Sequence, residues 1–94
     1  MYKIGVGVIG VGYMGAIHAR AYAAESRARL IGVFDTNADS AQSVASEVGT
    51  AMFNSIDDLL SCPEVEAVSV CTPDASHVAP TLIALDAGKH VLLE

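Results

Sequence analysis

The 94-residue chain is 52% hydrophobic and carries a net charge of -6, and that length fits one small domain. Its five Lys and Arg residues, scattered at 3, 20, 27, 29 and 89, form no basic patch able to neutralise nucleic-acid phosphates. No apolar run approaches the ~18 residues of a membrane helix, so a soluble protein with neither nucleic-acid nor membrane partners is expected. Cys62 and Cys71 offer no CxxC spacing and no disulfide framework. No metal site is therefore expected, and a reducing cytoplasm is the expected location.

Residues 3 to 9 are rich in Ile and Val and read as a first strand. Lys3 before this run, with Ala19-Arg20-Ala21 after it, mimics a secretory leader, but glycines at 5, 7, 10, 12 and 15 interrupt the apolar segment. A helix is predicted from Tyr13 to Ala24, with Met14, Ile17 and Ala21 as its buried stripe. Leu30 to Phe34 reads as a second strand ending at Asp35. Thr36-Asn37 then caps a helix whose Ala41, Val44, Ala45 and Val48 share one face, stopped by Gly49.

Ala51 to Phe53 is a short third strand, and Ser55 with Asp58 resembles a capping box opening a brief helix that Pro63 closes. Glu66 to Thr72 is a fourth strand. Pro80 fits only a first helical turn, so the next helix starts near Ser76, buries Val78, Leu82 and Leu85, and ends at Gly88. His90 to Leu93 is the fifth strand. Strand and helix alternate throughout, which calls for an α/β fold with a parallel sheet.

Gly10-Val11-Gly12-Tyr13-Met14-Gly15 is a complete G-x-G-x-x-G between a strand and a helix. The first glycine allows a tight turn, the second lets backbone approach a pyrophosphate, and the third lets the helix pack on the strand. Backbone N–H groups at the helix start, those of Tyr13 and Met14 among them, are then candidates to hold phosphates. Asp35 lies 20 residues beyond Gly15 at the end of the second strand, placed to accept hydrogen bonds from ribose hydroxyls and to repel a 2′-phosphate. Thr36, Asn37 and Ala38 bring no cation, so NAD is favoured over NADP; the alternative is that Asp35 only caps the following helix. Together these features predict a doubly wound Rossmann sheet, strand order 3-2-1-4-5, with residues 1–94 as one dinucleotide-binding domain.

The segment Cys71-Thr72-Pro73-Asp74-Ala75-Ser76-His77, followed by Ala87-Gly88-Lys89-His90-Val91 and Glu94, resembles the Gfo/Idh/MocA oxidoreductases. Gly10 to Gly15 with His18, the Asp35 position and Pro63-Glu64-Val65-Glu66-Ala67-Val68 extend the likeness over the whole chain. The resemblance implies that Thr72 and Pro73 line the cofactor crevice, that His77 faces the same region, and that Glu94 contacts the nicotinamide ribose. The family often has Asn where this chain has Asp74, and its fifth strand leads into Glu-Lys-Pro, of which these residues supply Glu94 alone. The lysine of that motif is the family's proton-transfer group, so no catalytic residue is expected within residues 1–94 and the 94 residues alone are expected to be inactive.

The resemblance further implies hydride transfer between NAD and a hydroxyl carbon of a sugar, polyol or related small-molecule substrate, the substrate being held by a second domain. A non-catalytic NAD-binding or sensing module is the other reading. His77 would on a simpler view be a surface histidine near a helix cap, and His18 a structural histidine bonded to backbone. Cys71 in an apolar strand reads as a small packed hydrophobe. An exposed apolar sheet edge invites self-association, which leaves a homo-oligomer open.

Overall fold

The computed structural model describes residues 2–73 and 76–94; Asp74, which departs from the family pattern, lies outside the described residues. The elements are β1 (Ile4–Ile9), α1 (Tyr13–Ala24), β2 (Ala28–Phe34), α2 (Ala38–Val48), β3 (Ala51–Met52), α3 (Ile56–Leu60), β4 (Ala67–Val70), α4 (Val78–Asp86) and β5 (His90–Leu93). The five strands pair in parallel, as the strand-helix alternation requires, and in the order β3-β2-β1-β4-β5 expected of a Rossmann sheet. The order of strands reverses beside β1, so the connections that follow β1 and β4 leave for opposite faces of the sheet and open a crevice at the strand ends.

Each sheet face has its own core. Val8 and Val33 point to one side and pack with Ala16, Ala19, Ala41, Val44 and Ala45 of α1 and α2. Ile9, Val68 and Val70 point to the other and meet Leu59, Leu60 and Ala84 of α3 and α4. Residues alternate between the faces with period two, and one irregularity in β2 interrupts the alternation. Val6 pairs with Leu30 and Gly7 with Gly32, so Ile31 is an extra residue. Leu30 and Val33 thereby belong to the first core, while Ile31 packs on the second and a Cβ at Gly32 would meet Phe53 of that same core.

Local signals set most boundaries. Asn37 caps α2 by accepting from the Ser40 N–H, and Ser55 caps α3 by accepting from the Asp58 N–H. Gly49 follows α2 with φ of 72°, and its N–H returns to the Ala45 carbonyl. α3 ends at Leu60 with Ser61 as its cap, two residues before Pro63 is reached. β2 starts two residues earlier than Leu30, β3 is two residues long, and β4 is shorter than residues 66–72 because its ends give way to turns. Backbone pairing of Phe53 N–H with the Val33 carbonyl continues just past β3.

The predicted buried faces of α1 and α4 are corrected. Met14 and Ile17 are 40% and 39% exposed and Ala21 is exposed, whereas Gly15, Ala16 and Ala19 are buried. On α4, Val78, Leu82 and Leu85 are exposed, while Pro80 and Ala84 face inward. Both helices approach the sheet through their smallest residues, which brings the backbones close and turns the bulky side chains outward.

Leu59 is fully buried and lies over Gly7, whose missing side chain leaves room for the Leu59 methyl groups. Leu59→Ala should lower unfolding free energy by about 3 kcal/mol. Leu85→Ala should change it by less than about 0.5 kcal/mol. Urea unfolding of the two variants measures both, and the opposite ranking would restore the 78/82/85 face of α4 to the core.

Candidate functional site

The crevice at the carboxyl ends of the strands has a volume of about 990 Å³. Its floor is the turn after β1. Gly10 adopts φ of 89°, and a Cβ there would stand 2.8 Å from the Thr72 nitrogen; only glycine meets both conditions. Gly10 N–H donates to the Phe34 carbonyl at 2.8 Å, and Cys71 N–H donates to the Ile9 carbonyl at 2.8 Å. The turn is thus bonded to the end of β2 on one side and the end of β4 on the other.

Gly15 has a different task. A Cβ at this position would overlap the Gly10 carbonyl oxygen, so the first turn of α1 sits directly on the turn that precedes it. Gly12 is the N-cap of α1 and supplies no side-chain cap. A Cβ at Gly12 would meet nothing within 4 Å, because the position faces the open crevice. The first-turn N–H groups of α1 therefore point, with the positive end of the helix dipole, into a space wide enough for an anion. Tyr13 and Met14 also line the crevice with exposed side chains.

Asp35 closes one end. Its Oδ2 accepts from the Val11 N–H and its Oδ1 from the Asn37 N–H, both at 2.8 Å. The helix cap is Asn37 rather than Asp35, so Asp35 is free of the capping role and instead holds the glycine turn against β2. Each carboxylate oxygen keeps a lone pair for a further donor. Phe34, Thr36 and Ser40 complete this end, and among the described residues none that lines the crevice is basic. Arg20, Arg27 and Arg29 pair with Glu47, Glu25 and Glu64 on the surface, and Lys89 reaches the Cys62 carbonyl.

Thr72, Pro73, Ser76 and Glu94 form the opposite wall. The Thr72 hydroxyl donates to the Ser76 carbonyl at 3.1 Å, and Ser76 N–H donates to the Pro73 carbonyl at 2.7 Å, bracing the turn that leads to α4. Glu94 is fixed by its own N–H, which donates to the Val70 carbonyl at 3.0 Å. Asp35 and Glu94 end β2 and β5, three strand intervals apart, or about 14 Å at the usual interstrand spacing. The crevice thus runs across the sheet between two carboxylates, with the uncapped helix end midway.

The predicted residues Gly10, Gly12, Tyr13, Met14, Asp35, Thr72, Pro73 and Glu94 meet in this crevice, with Gly15 supporting it from below. His77 does not line it; it borders a small groove with Val78, Thr81, Leu82 and Leu93. Ile56 and Ala79 also line the crevice and were not singled out from sequence, since nothing separates them there from core residues. The His18 partners are side chains rather than backbone, namely Ser69 and Glu94. Among the described residues, no group of three or more His, Cys, Asp or Glu could hold a metal ion.

Cys71 lines the crevice but is a poor nucleophile. Burial, with the Glu94 charge adding to it, pushes its thiol up to about 11. At pH 8 it should react with iodoacetamide about 100-fold more slowly than a free cysteine, with the rate still climbing beyond pH 9; site-resolved mass spectrometry reads this. Gly15→Ala should cost more than about 3 kcal/mol of stability through overlap with backbone. Gly12→Ala should cost about 1 kcal/mol or less through the weaker helix cap. Thermal melts separate the two.

Comparison with known proteins agrees with this geometry. Residues 4–94 match a family profile described as an oxidoreductase family, NAD-binding Rossmann fold. The chain is 48% identical over 94 residues to UDP-N-acetylglucosamine 3-dehydrogenase of Acidithiobacillus ferrooxidans, covering 100% of this chain and 29% of that protein. A solved structure of GenD2 from gentamicin A biosynthesis, in complex with NAD, superposes with a TM-score of 0.95 at 31% identity, over 99% of this chain and 27% of that one. Myo-inositol dehydrogenase from Lactobacillus casei, solved with NAD(H) and myo-inositol, gives 0.91 at 28% identity over 97% and 28%. The chain thus spans under a third of the length of these relatives, and within that span it belongs to the Gfo/Idh/MocA oxidoreductase family, as its NAD-binding Rossmann domain.

Proposed function

We propose that residues 1–94 bind NAD in the crevice between Asp35 and Glu94, as the cofactor half of an oxidoreductase. The whole protein would move hydride between the nicotinamide and a hydroxyl carbon of a sugar, polyol or related small molecule. The observation that carries the reading is the start of α1, without a side-chain cap, opening at Gly12 between two carboxylates, with no cation among the described lining residues. An extended dinucleotide fits this arrangement: pyrophosphate on the first-turn N–H groups, one ribose at Asp35, the other toward Glu94. NAD supplies the hydride chemistry when bound; this chain supplies placement and field.

In this reading Asp35 accepts hydrogen bonds from the adenosine ribose hydroxyls while retaining those from Val11 and Asn37. Its charge would lie against a 2′-phosphate, which is why NAD is preferred to NADP. Thr72 and Pro73 form the wall nearest the nicotinamide. His77, at the start of α4, would reach that region from the neighbouring groove. Neither Lys3 nor Lys89 lines the crevice; in this reading the acid-base group is the lysine that the family carries directly after the Glu94 position. The relatives include dehydrogenases of a nucleotide sugar, a sugar phosphate and inositol, which supports a sugar or polyol as the substrate class.

Calorimetric titration with NAD and NADP tests the reading. The wild-type chain should favour NAD by at least about tenfold, or ~1.4 kcal/mol. Asp35→Asn, which keeps a carbonyl acceptor but loses the charge, should bind NAD more weakly and narrow the gap to NADP. A folded wild-type chain that binds neither dinucleotide would sink the assignment.

A further inference from the structure

We propose that His18 is a positioning residue that holds the Glu94 carboxylate at the crevice wall, with its ring oriented from the protein interior by Tyr22 and Ser69. The proposal rests on the NAD reading above for the purpose it gives Glu94.

His18 and Tyr22 are one helical turn apart on α1, so both face the sheet. Ser69 lies on β4 beneath them and is fully buried, pointing away from the core filled by its neighbours Val68 and Val70. The Tyr22 hydroxyl meets Ser69 Oγ at 2.5 Å, and Ser69 Oγ meets His18 Nδ1 at 3.1 Å. His18 Nε2 then meets Glu94 Oε1 at 2.9 Å. The His18 side chain is 13% exposed and that of Glu94 44%, so the row of contacts runs from the interior to the edge of the crevice.

Counting protons gives this row a direction. A carboxylate only accepts, so Nε2 of His18 must carry the hydrogen toward Glu94. In a neutral ring Nδ1 is then an acceptor, and Ser69 must donate to it. Ser69 has spent its single hydrogen and receives the one from Tyr22. With the ring neutral, every group is satisfied in a single arrangement: Tyr22 to Ser69 to His18 to Glu94. The His18 and Tyr22 rings meet edge to face at 6.3 Å and 81°, which limits rotation of the imidazole. Glu94 is therefore held twice, by its backbone on Val70 and by its side chain on His18.

Nitrogen NMR of ¹⁵N-histidine-labelled chain at neutral pH reads the tautomer without any cofactor. His18 should show a protonated Nε2 and a pyridine-type Nδ1, and Ser69→Ala or Glu94→Ala should each convert this to a tautomer mixture. In parallel, His18→Ala should weaken NAD binding about tenfold, the scale of one hydrogen bond to a charged group. His18→Gln, whose amide can donate to Glu94 and accept from Ser69, should recover most of it. An Nδ1-protonated or mixed tautomer in the wild-type chain, or unaltered NAD affinity in folded His18→Ala, overturns the proposal. Absence of NAD binding by the wild-type chain instead counts against the dinucleotide reading, and the tautomer measurement still decides the relay.

Discussion

The contact between Gly15 and the Gly10 carbonyl is the constraint on which the site depends. It places the first turn of α1 on the end of β1 with no side chain between them, and so fixes where the open N–H groups lie. A bulkier residue would lift the helix, and with it the positive end of its dipole, away from the strand ends. The rest of α1 obeys the same demand: Ala16 and Ala19 continue the small face against the sheet, and the larger Met14 and Ile17 turn away. Close approach of backbone governs this helix more than burial of large side chains does.

Asp35 extends that constraint across the crevice. Its carboxylate joins the glycine turn to β2 through the Val11 N–H and to the start of α2 through the Asn37 N–H. The turn is thereby held in one shape without a ligand. A ligand entering such a site has less chain to order, and more of its interaction free energy appears as affinity. The same residue contributes both scaffold and negative field to the crevice. On the far side, Thr72 does comparable work by tying the β4 turn to the residues that open α4.

Much of this was legible in the sequence because it is written locally. The glycines at 10, 12 and 15, the caps Asn37 and Ser55, and the stop at Gly49 each act on neighbours within a few residues. The parallel sheet followed from strand-helix alternation, and its order from the glycine turn and Asp35 that mark a Rossmann arrangement. The buried faces of α1 and α4 were misread because hydrophobic periodicity weights size, whereas these faces are made of Gly, Ala and Pro. The Glu94 partner of His18 lies 76 residues away, and no spacing rule reaches that far. The extra residue in β2 is equally silent in sequence, since Leu30 and Ile31 look alike until the pairing with Val6 and Gly7 separates them.

The sheet divides the interior into two compartments, one beneath α1 and α2 and one beneath α3 and α4. The two clusters lie on opposite faces of the sheet, with strand backbone between them. Volume changes on one side are therefore absorbed there, and sequence can drift in one compartment without a matching change in the other. The crevice is where this independence ends, because the glycine turn leads from Ile9 of one core to Val11 of the other. Substitutions should accumulate freely as paired exchanges within a compartment, while the few residues at the strand ends answer to two neighbourhoods at once.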